Sequence, residues 1–407
     1  MSRFARLWVA AFCSETAEWM LQVALPVAVF QATGSATSTA LMMVLGLVPA
    51  VVLSPAAGVL ADRVDRGRLL RWIVLGQAVV AAPLLAFDHA TWLGAVVMAA
   101  QAALAALFEP ARNALLPEVV GPEKVTAANG MLSTAATVAR LAGAWLGGLL
   151  FAIGGMAGVY AAYAGVLAVA VLALAAPFGS RPHRTLKTRA VREWLDGLDM
   201  VRRDRRLWVA GGAMLLAAIA QGMFLVLFVP FVLDGLRGGP EAIGLLRGIQ
   251  AVGGLAAGLA LAVLARRAVP SRLLGWGGLL SGVVSAIIWN SPNLTTTLGV
   301  YIGLFALAGA PGVVANSGLM SVLQTAVPPA ATGRLISSAV AVLALGTAIG
   351  MLAAGVCVDL VGGPVLLNAQ ATLYVLAGLL VLAVRPARST QSVQHAPDAA
   401  VAEQAGR

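Results

Sequence analysis

Apolar stretches long enough to cross a bilayer as helices, about 20 residues each, recur along nearly the whole chain. Short runs rich in Gly, Pro or Arg separate them. The pattern therefore predicts an all-α polytopic membrane protein. We place twelve transmembrane helices at 7–31, 36–60, 69–87, 91–111, 128–152, 157–177, 207–232, 242–264, 273–290, 294–316, 336–358 and 363–384.

Basic residues are distributed unevenly between the two sides that these spans define. With the N-terminus inside, 24 of the 27 Lys and Arg residues fall in cytoplasmic segments, whereas Arg237 falls in an outer loop and Arg140 and Arg247 lie within spans. Short cytoplasmic loops of membrane proteins collect Lys and Arg. The distribution therefore favours twelve spans, cytoplasmic N- and C-termini, and a bacterial-type inner membrane.

Composition agrees with this reading. The 407 residues are 60% hydrophobic and 11% charged, with a mean hydropathy of +0.90, whereas soluble domains carry about 25% charged residues. The net charge of +10 is expected to face an anionic inner leaflet, and its layout does not indicate a nucleic-acid groove. Cys13 and Cys357 both lie in apolar spans, where a buried thiol is the default.

The longest polar interval divides the chain into two similar halves. We predict an N-terminal six-helix bundle (1–178), a cytoplasmic connector (179–206), a C-terminal six-helix bundle (207–385) and a disordered cytoplasmic tail (386–407). GVLADRVDRGR after the second span is echoed by GLALAVLARRA after the eighth. Two pseudo-symmetric bundles are the layout expected of a transporter, and because they enclose their own pathway, a monomer suffices.

The segment 58–71, GVLADRVDRGRLLR, concentrates charge in this apolar chain. It resembles motif A of the major facilitator superfamily, with Asp65 where glycine is usual and Gly67 where a base is usual. Together with FEPARNALLPE after the fourth span, it resembles the branch of macrolide-efflux proteins and enterobactin-type siderophore exporters. The residues that fit motif A are Gly58, Asp62, Arg63, Arg66 and Arg68.

The resemblance implies that motif A forms a conformational latch, meaning contacts between the halves that break and re-form during transport. Gly58 would let the second span approach a neighbouring helix closely. Asp62 would accept hydrogen bonds from the N-terminal end of the eleventh span. A purely positive-inside loop would explain the arginines, but it would not explain the acids or the glycine.

Among the charged residues within spans, Glu18, Glu15 and Arg140 stand out by their depth. Glu18 is placed near the bilayer midplane, Glu15 one turn nearer the cytoplasm on the same face, and Arg140 at a similar depth in the fifth span. Charges at that depth are expensive and mark functional sites by default. We assign proton coupling to Glu18, Glu15 and Arg140. A permanent Glu–Arg pair would instead be structural.

The resemblance also implies that spans 1, 4, 7 and 10 line a central, mostly apolar substrate cavity. The residues it places there are Gln22, Gln101, Gln221, Phe224, Tyr301 and Phe305. Each glutamine alone is more often an interhelical hydrogen bond than a ligand contact.

RLAGAWLGGLL in the fifth span occupies the place of the antiporter motif C, with Ala144 instead of its proline. Gly143, Gly147 and Gly148 remain there, and we expect them to allow tight packing at the interface between the halves.

Other function classes are disfavoured. A P-loop places Gly before its lysine, whereas the two lysines, Lys124 and Lys187, follow Glu and Leu. His89, His183 and His395 are isolated in loops or the tail. We therefore expect no metal, no cofactor and no enzymatic activity, although a polytopic membrane enzyme is the rival from another class.

The sequence thus favours a proton-coupled exporter of amphipathic small molecules, of the drug, macrolide or siderophore type. In the expected cycle, Glu18 releases its proton inside, the carboxylate helps to recruit a neutral or cationic substrate, and reprotonation from outside expels it. Besides substrate and protons, membrane lipids are the expected partners. An importer or a lysophospholipid transporter of the same fold is the alternative.

Overall fold

A computed structural model of the protein describes residues 1–178, 205–264, 269–326 and 329–384. The predicted tail and all but the last two residues of the predicted connector lie outside the described residues. So do the side chains of 54–63 and 329–334, although their backbones are helical. The two-bundle domain bounds stay a prediction.

Helices account for most of the described residues. The chain forms α1 Arg3–Thr33, α2 Ala36–Arg63, α3 Arg66–Ala81, α4 Trp92–Val120, a run Val125–Ala173, α7 Arg205–Pro230, α8 Pro240–Leu264, α9 Pro270–Asn290, α10 Leu298–Ala326, α11 Pro329–Val361 and α12 Gly363–Ala383. Short 3-10 segments cover Ala82–His89, Pro122–Lys124 and Ser291–Asn293, and a single π-helical turn covers Phe231–Gly235.

The run Val125–Ala173 contains 49 residues, far more than one bilayer crossing needs. Gly155 interrupts it with φ 57° and ψ −157°, a backbone conformation that is essentially restricted to glycine. We label the two parts α5 (125–154) and α6 (156–173). The Gly-Gly step between the fifth and sixth predicted spans therefore marks a real change of direction.

Each of the twelve predicted spans overlaps one of these helices or parts, and the third (69–87) continues beyond α3 into the 3-10 segment Ala82–His89. Nine helical stretches in the described part of the chain are long and apolar enough to cross a membrane, the run Val125–Ala173 being counted as one. The all-α, multi-pass membrane fold is confirmed. The structure differs at α4, which continues to Val120, and at α10, which continues to Ala326. Both helices therefore include residues that the sequence placed in a loop.

Side-chain caps fix where several helices begin. Ser2 accepts a hydrogen bond from the Ala5 amide at 3.1 Å, and Ser35 accepts one from Ser38 at 3.2 Å. Such caps satisfy amides that the first turn of a helix leaves without partners.

The buried apolar side chains of the described residues form three clusters. One lies within residues 7–178 and another within 207–381. The third crosses between the halves, because Val23, Val27 and Ala40 of the N-terminal half join residues of the C-terminal half, such as Phe228 and Met351. These N-terminal-half residues lie late in α1 or early in α2, so this contact forms at the end of the molecule away from the N-terminus.

The two departures from motif A have local structural reasons. Asp65 is the N-cap of α3, and its carboxylate accepts the Arg68 amide at 2.7 Å. At Gly67, a Cβ atom would lie 2.9 Å from a ring carbon of Phe178, so the usual basic side chain would not fit.

Arg66 forms an ion pair with Glu118 on α4, which ties the start of α3 to its own half. The side chains of Gly58, Asp62 and Arg63 lie outside the described residues. The latch across the halves therefore stays a prediction.

Candidate functional site

A cavity of about 540 Å³ lies between the halves, lined by residues of α1, α2, α4, α5, α7, α8 and α11. Most of its wall is apolar, and its volume is within the range of pockets that take drug-sized ligands. Its charged residues come from four helices: Glu15 and Glu18 from α1, Glu109 from α4, Arg140 from α5, and Arg247 from α8.

Glu18 carries the least compensated carboxylate in this wall. It accepts one hydrogen bond from the Gln22 amide, at 2.8 Å. Among the described residues, the other two cavity acids contact an arginine, and Glu18 has no ion pair within 4.0 Å. A polar but neutral neighbour leaves Glu18 free to exchange a proton without breaking a salt bridge.

Glu15 instead faces Arg112, with 3.8 Å between their charged atoms. Arg112 also lies 3.5 Å from Glu109, one turn earlier on α4. These three residues border a second cavity of about 500 Å³, whose wall includes Asn129 and Ser133 near the start of α5. The polar wall of the main cavity therefore continues toward the N-terminal end of the molecule.

Two arginines meet at one tryptophan. The guanidinium carbon of Arg140 lies 4.7 Å from the Trp19 ring centroid, and that of Arg247 lies 5.8 Å from it. Arg247 also lies over Phe224, at 5.0 Å. Cation–π contacts of this kind hold a guanidinium in place without neutralising it. Within the described chain, neither arginine pairs with a carboxylate, so a pair of Arg140 with Glu15 or Glu18, which the sequence leaves open, does not form in this conformation.

Glycines bring these side chains together. A Cβ at Gly143 would lie 2.9 Å from the Cβ of Trp19, and one at Gly147 would lie 2.9 Å from the Cα of Met20. Both glycines therefore pack α5 against α1 of the same half, which corrects the expectation that they lie between the halves.

Gly148 does face the other half. A Cβ there would lie 3.0 Å from the Cα of Gly244 on α8. The backbones of α5 and α8 thus meet at two facing glycines. Arg247, one turn beyond Gly244, is carried by this contact toward Trp19 of the opposite half.

The predicted cavity residues divide into two groups. Gln22, Gln101 and Phe224 line the cavity, and their substrate role stays a prediction. Gln101 also donates to the Gln77 carbonyl of α3 at 2.7 Å. Gln221 accepts a hydrogen bond from Tyr374 at 2.9 Å and is not part of the lining.

Tyr301 and Phe305 lie behind the wall and are fully buried, at 0% and 1% exposure. They pack on Phe231 and Phe228, whose ring centroids are 6.1 and 5.4 Å away respectively. This placement corrects the expectation that they face substrate. Their aromatic rings support Phe228, which does line the cavity.

Sequence reasoning missed four residues of the site. Arg247 was recognised as lying within a span but was not assigned to the site, although the argument applied to Arg140 holds for it equally. Arg112 falls just beyond the predicted end of the fourth span at residue 111, whereas Glu109 lies within the last turn of that span and was open to the same argument. Trp19 carried no signal beyond its position next to Glu18.

Comparison with known proteins gives a family match over most of the chain. Residues 7–338 match the sequence model of the Major Facilitator Superfamily. Macrolide efflux protein A of Streptococcus pyogenes is 23% identical, over 88% of this chain and 90% of its own length. The multidrug efflux pump Tap of Mycolicibacterium fortuitum is 27% identical, over 84% of this chain and 85% of its own.

A solved structure gives the same fold. A bacterial homologue of the iron transporter ferroportin, in an inward-facing state, superposes with a TM-score of 0.72. The alignment covers 94% of this chain and 98% of that one, at 18% identity. At that identity the likeness establishes architecture alone.

Proposed function

Because this chain belongs to the Major Facilitator Superfamily, we propose that it exports amphipathic small molecules in exchange for protons. The superfamily match makes it a multi-pass membrane transporter. Export is supported by two relatives named as efflux proteins, and an amphipathic substrate by a drug-sized cavity with apolar walls and a few charges.

The observation that carries proton coupling is the state of Glu18. It lies in the middle of α1, lines the cavity and has Gln22 as its hydrogen-bond partner. A carboxylate at membrane depth without a compensating cation is costly when ionised. Either a proton or a cationic group of the substrate relieves that cost, so the two ligands compete for one site.

Contacts at the far end favour a loading role for this conformation. Thr37 donates to the Gly355 carbonyl at 2.6 Å, and Gly148 meets Gly244, so the halves touch at the end away from the N-terminus. With the N-terminus in the cytoplasm, as the basic residues favour, the outer side is closed. Substrate then enters from the cytoplasm while Glu18 is deprotonated.

The export step follows from the same competition. Rocking of the halves opens the far end, Glu18 takes a proton from outside, and the substrate loses its counter-charge and leaves. The protonated, empty carrier returns and releases its proton inside. Because Glu18 is protonated and neutral in the empty carrier, no uncompensated carboxylate opposes the return step.

The first prediction concerns Glu18→Gln in an efflux-deficient bacterial host. Accumulation of a panel of fluorescent amphipathic compounds is compared between wild type, Glu18→Gln and empty vector, with and without a protonophore. Wild type should lower accumulation of at least one compound, and the protonophore should abolish this effect. Glu18→Gln should behave like empty vector because glutamine cannot exchange a proton.

Glu123→Gln is the matched control, since Glu123 is exposed near the start of α5 and outside the cavity lining. It should transport like wild type. If Glu18→Gln transports at the wild-type rate with an unchanged pH dependence, coupling through Glu18 is wrong. If wild-type cells accumulate more compound than cells with empty vector, the protein takes the compound up, and the proposed direction of transport is wrong.

A further inference from the structure

The cavity holds charges of both signs that its own side chains do not cancel. Glu15 and Glu109 share Arg112, whereas Glu18 contacts no arginine among the described lining residues. Arg140 and Arg247 are the uncompensated cations there, since neither forms an ion pair or a hydrogen bond with another described residue. A ligand that fits this cavity must therefore carry both a positive and a negative group.

The two arginines are placed to act together. Both lie over Trp19, so their guanidinium carbons are no farther apart than the sum of 4.7 and 5.8 Å. The two guanidinium groups carry like charge and repel each other, and an anion bound between them would lower that repulsion. Guanidinium groups are also suited to carboxylates, which they bind through paired N–H donors.

We propose that the transported compounds are zwitterions on an apolar or aromatic body. The carboxylate of the ligand binds between Arg140 and Arg247, its ammonium binds at Glu18, and its body lies against Trp19, Phe224 and Phe228. This inference rests on the proposed export function and names the substrate class of the same cavity.

A zwitterion fits the wall better than a ligand of either single charge. A purely cationic amphiphile would satisfy Glu18 but would leave two arginines facing an apolar body. A purely anionic one would satisfy the arginines, yet it would have nothing to compete with the proton at Glu18. Only the ammonium of a zwitterion keeps the exchange with protons while the carboxylate meets the arginines.

The arginine site also joins the two halves. Arg140 belongs to α5 and Arg247 to α8, and the helices that carry them touch through Gly148 and Gly244. A carboxylate bound to both arginines therefore connects the rocking bodies directly. Loss of that bridge when the far end opens would weaken binding on the release side.

Four probes with one aromatic body separate the charges. We choose 1-pyrenylalanine (zwitterion), its methyl ester (cation), its N-acetyl derivative (anion) and its N-acetyl methyl ester (neutral). Binding to purified full-length protein is measured by equilibrium dialysis, and export from cells by pyrene fluorescence. The zwitterion should bind at least about tenfold more tightly than the other three, the loss expected for removing one charge-assisted contact.

Variants then assign each charge to its partner. Arg140→Gln and Arg247→Gln should each weaken the zwitterion and the anion about tenfold or more, with little effect on the cation or the neutral ester. Glu18→Gln should weaken the zwitterion and the cation instead. Arg247→Lys keeps the charge and should recover part of the affinity. Arg237→Gln, at an exposed loop position, is the control for lost charge alone.

Two outcomes overturn the inference while export stands. One is that the protein binds all four probes equally, or binds none of them, while it still exports other amphipathic compounds. The other is that Arg140→Gln and Arg247→Gln lower the affinity for all four probes equally, and that Arg247→Lys binds no more tightly than Arg247→Gln. That result would make both arginines structural. Failure of export itself appears differently, as unchanged accumulation of every compound in cells with verified, membrane-inserted wild type.

Discussion

At the scale of single residues, Gly67 tests whether the local departure from motif A is structural. Alanine there would place a Cβ 2.9 Å from the Phe178 ring, so Gly67→Ala should lower the free energy of unfolding by about 1–3 kcal/mol through overpacking. Gly130, also in a helix, has no neighbouring atom within 4 Å of its Cβ position. Gly130→Ala should therefore raise stability by about 0.5–1 kcal/mol.

Thermal unfolding of the two variants in detergent measures this difference. The same substitution is made in both, so intrinsic helix propensity cannot explain opposite shifts in Tm. Equal shifts of the same sign would mean that Phe178 does not restrict the position.

Single residues also show where sequence reasoning reached the site and where it stopped. Glu18 and Arg140 could be found because a charge at membrane depth is rare and needs a reason. Tyr301 and Phe305 were misplaced because an aromatic ring is equally at home against protein, lipid or substrate. In a span that is apolar on every side, the sequence does not tell which face is turned to the cavity.

At the scale of elements, the contact between α5 and α8 governs closure of the far end. A side chain at Gly148 would overlap the backbone of α8 at Pro240 and Gly244. Gly148→Leu should therefore disfavour the conformation described here by about 1–3 kcal/mol, a shift of about fivefold or more in population. The favoured state should be open at the far end.

Labelling of a cavity cysteine reports this shift. Gln22→Cys, with Cys13 and Cys357 replaced by serine, is exposed to a membrane-impermeant maleimide in right-side-out vesicles. Gly148→Leu should speed labelling about tenfold. Gly165→Leu is the control, because Gly165 has open space around its Cβ position. Equal labelling in all backgrounds would show that the glycine contact does not hold the far end closed.

Elements were the most predictable part of the molecule, since length and hydropathy define membrane helices directly. Their ends were less predictable, as at α4, which continues nine residues past its predicted end to Val120. The sequence predicted that these helices pack closely at glycines, but it did not predict which helices pack together. Gly143, Gly147 and Gly148 read alike in the sequence, and only their spacing around α5 in the structure assigns the first two to α1 and the third to α8.

At the scale of the whole molecule, closure joins two separate contacts at one end. α5 meets α8 near Gly148, and α2 meets α11 where Gly355 lies against Ala40. Thr37 adds a hydrogen bond to the second contact. Transport by rocking of the halves requires that both contacts separate once in every cycle, because under the proposed export substrate leaves at this end.

A reversible cross-link across α2 and α11 tests that requirement. A Cβ at Gly355 would lie 2.6 Å from the Cβ of Ala40, so a small separation of the helices reaches the ~3.8 Å between Cβ atoms that a disulfide needs. Ala40→Cys with Gly355→Cys, in a background lacking Cys13 and Cys357, should lose transport on oxidation and regain it on reduction. Each single cysteine variant should be insensitive to both treatments. Unchanged transport by protein whose cross-link is verified by mass spectrometry would mean that substrate does not leave between α2 and α11, because the disulfide keeps that end shut throughout the cycle.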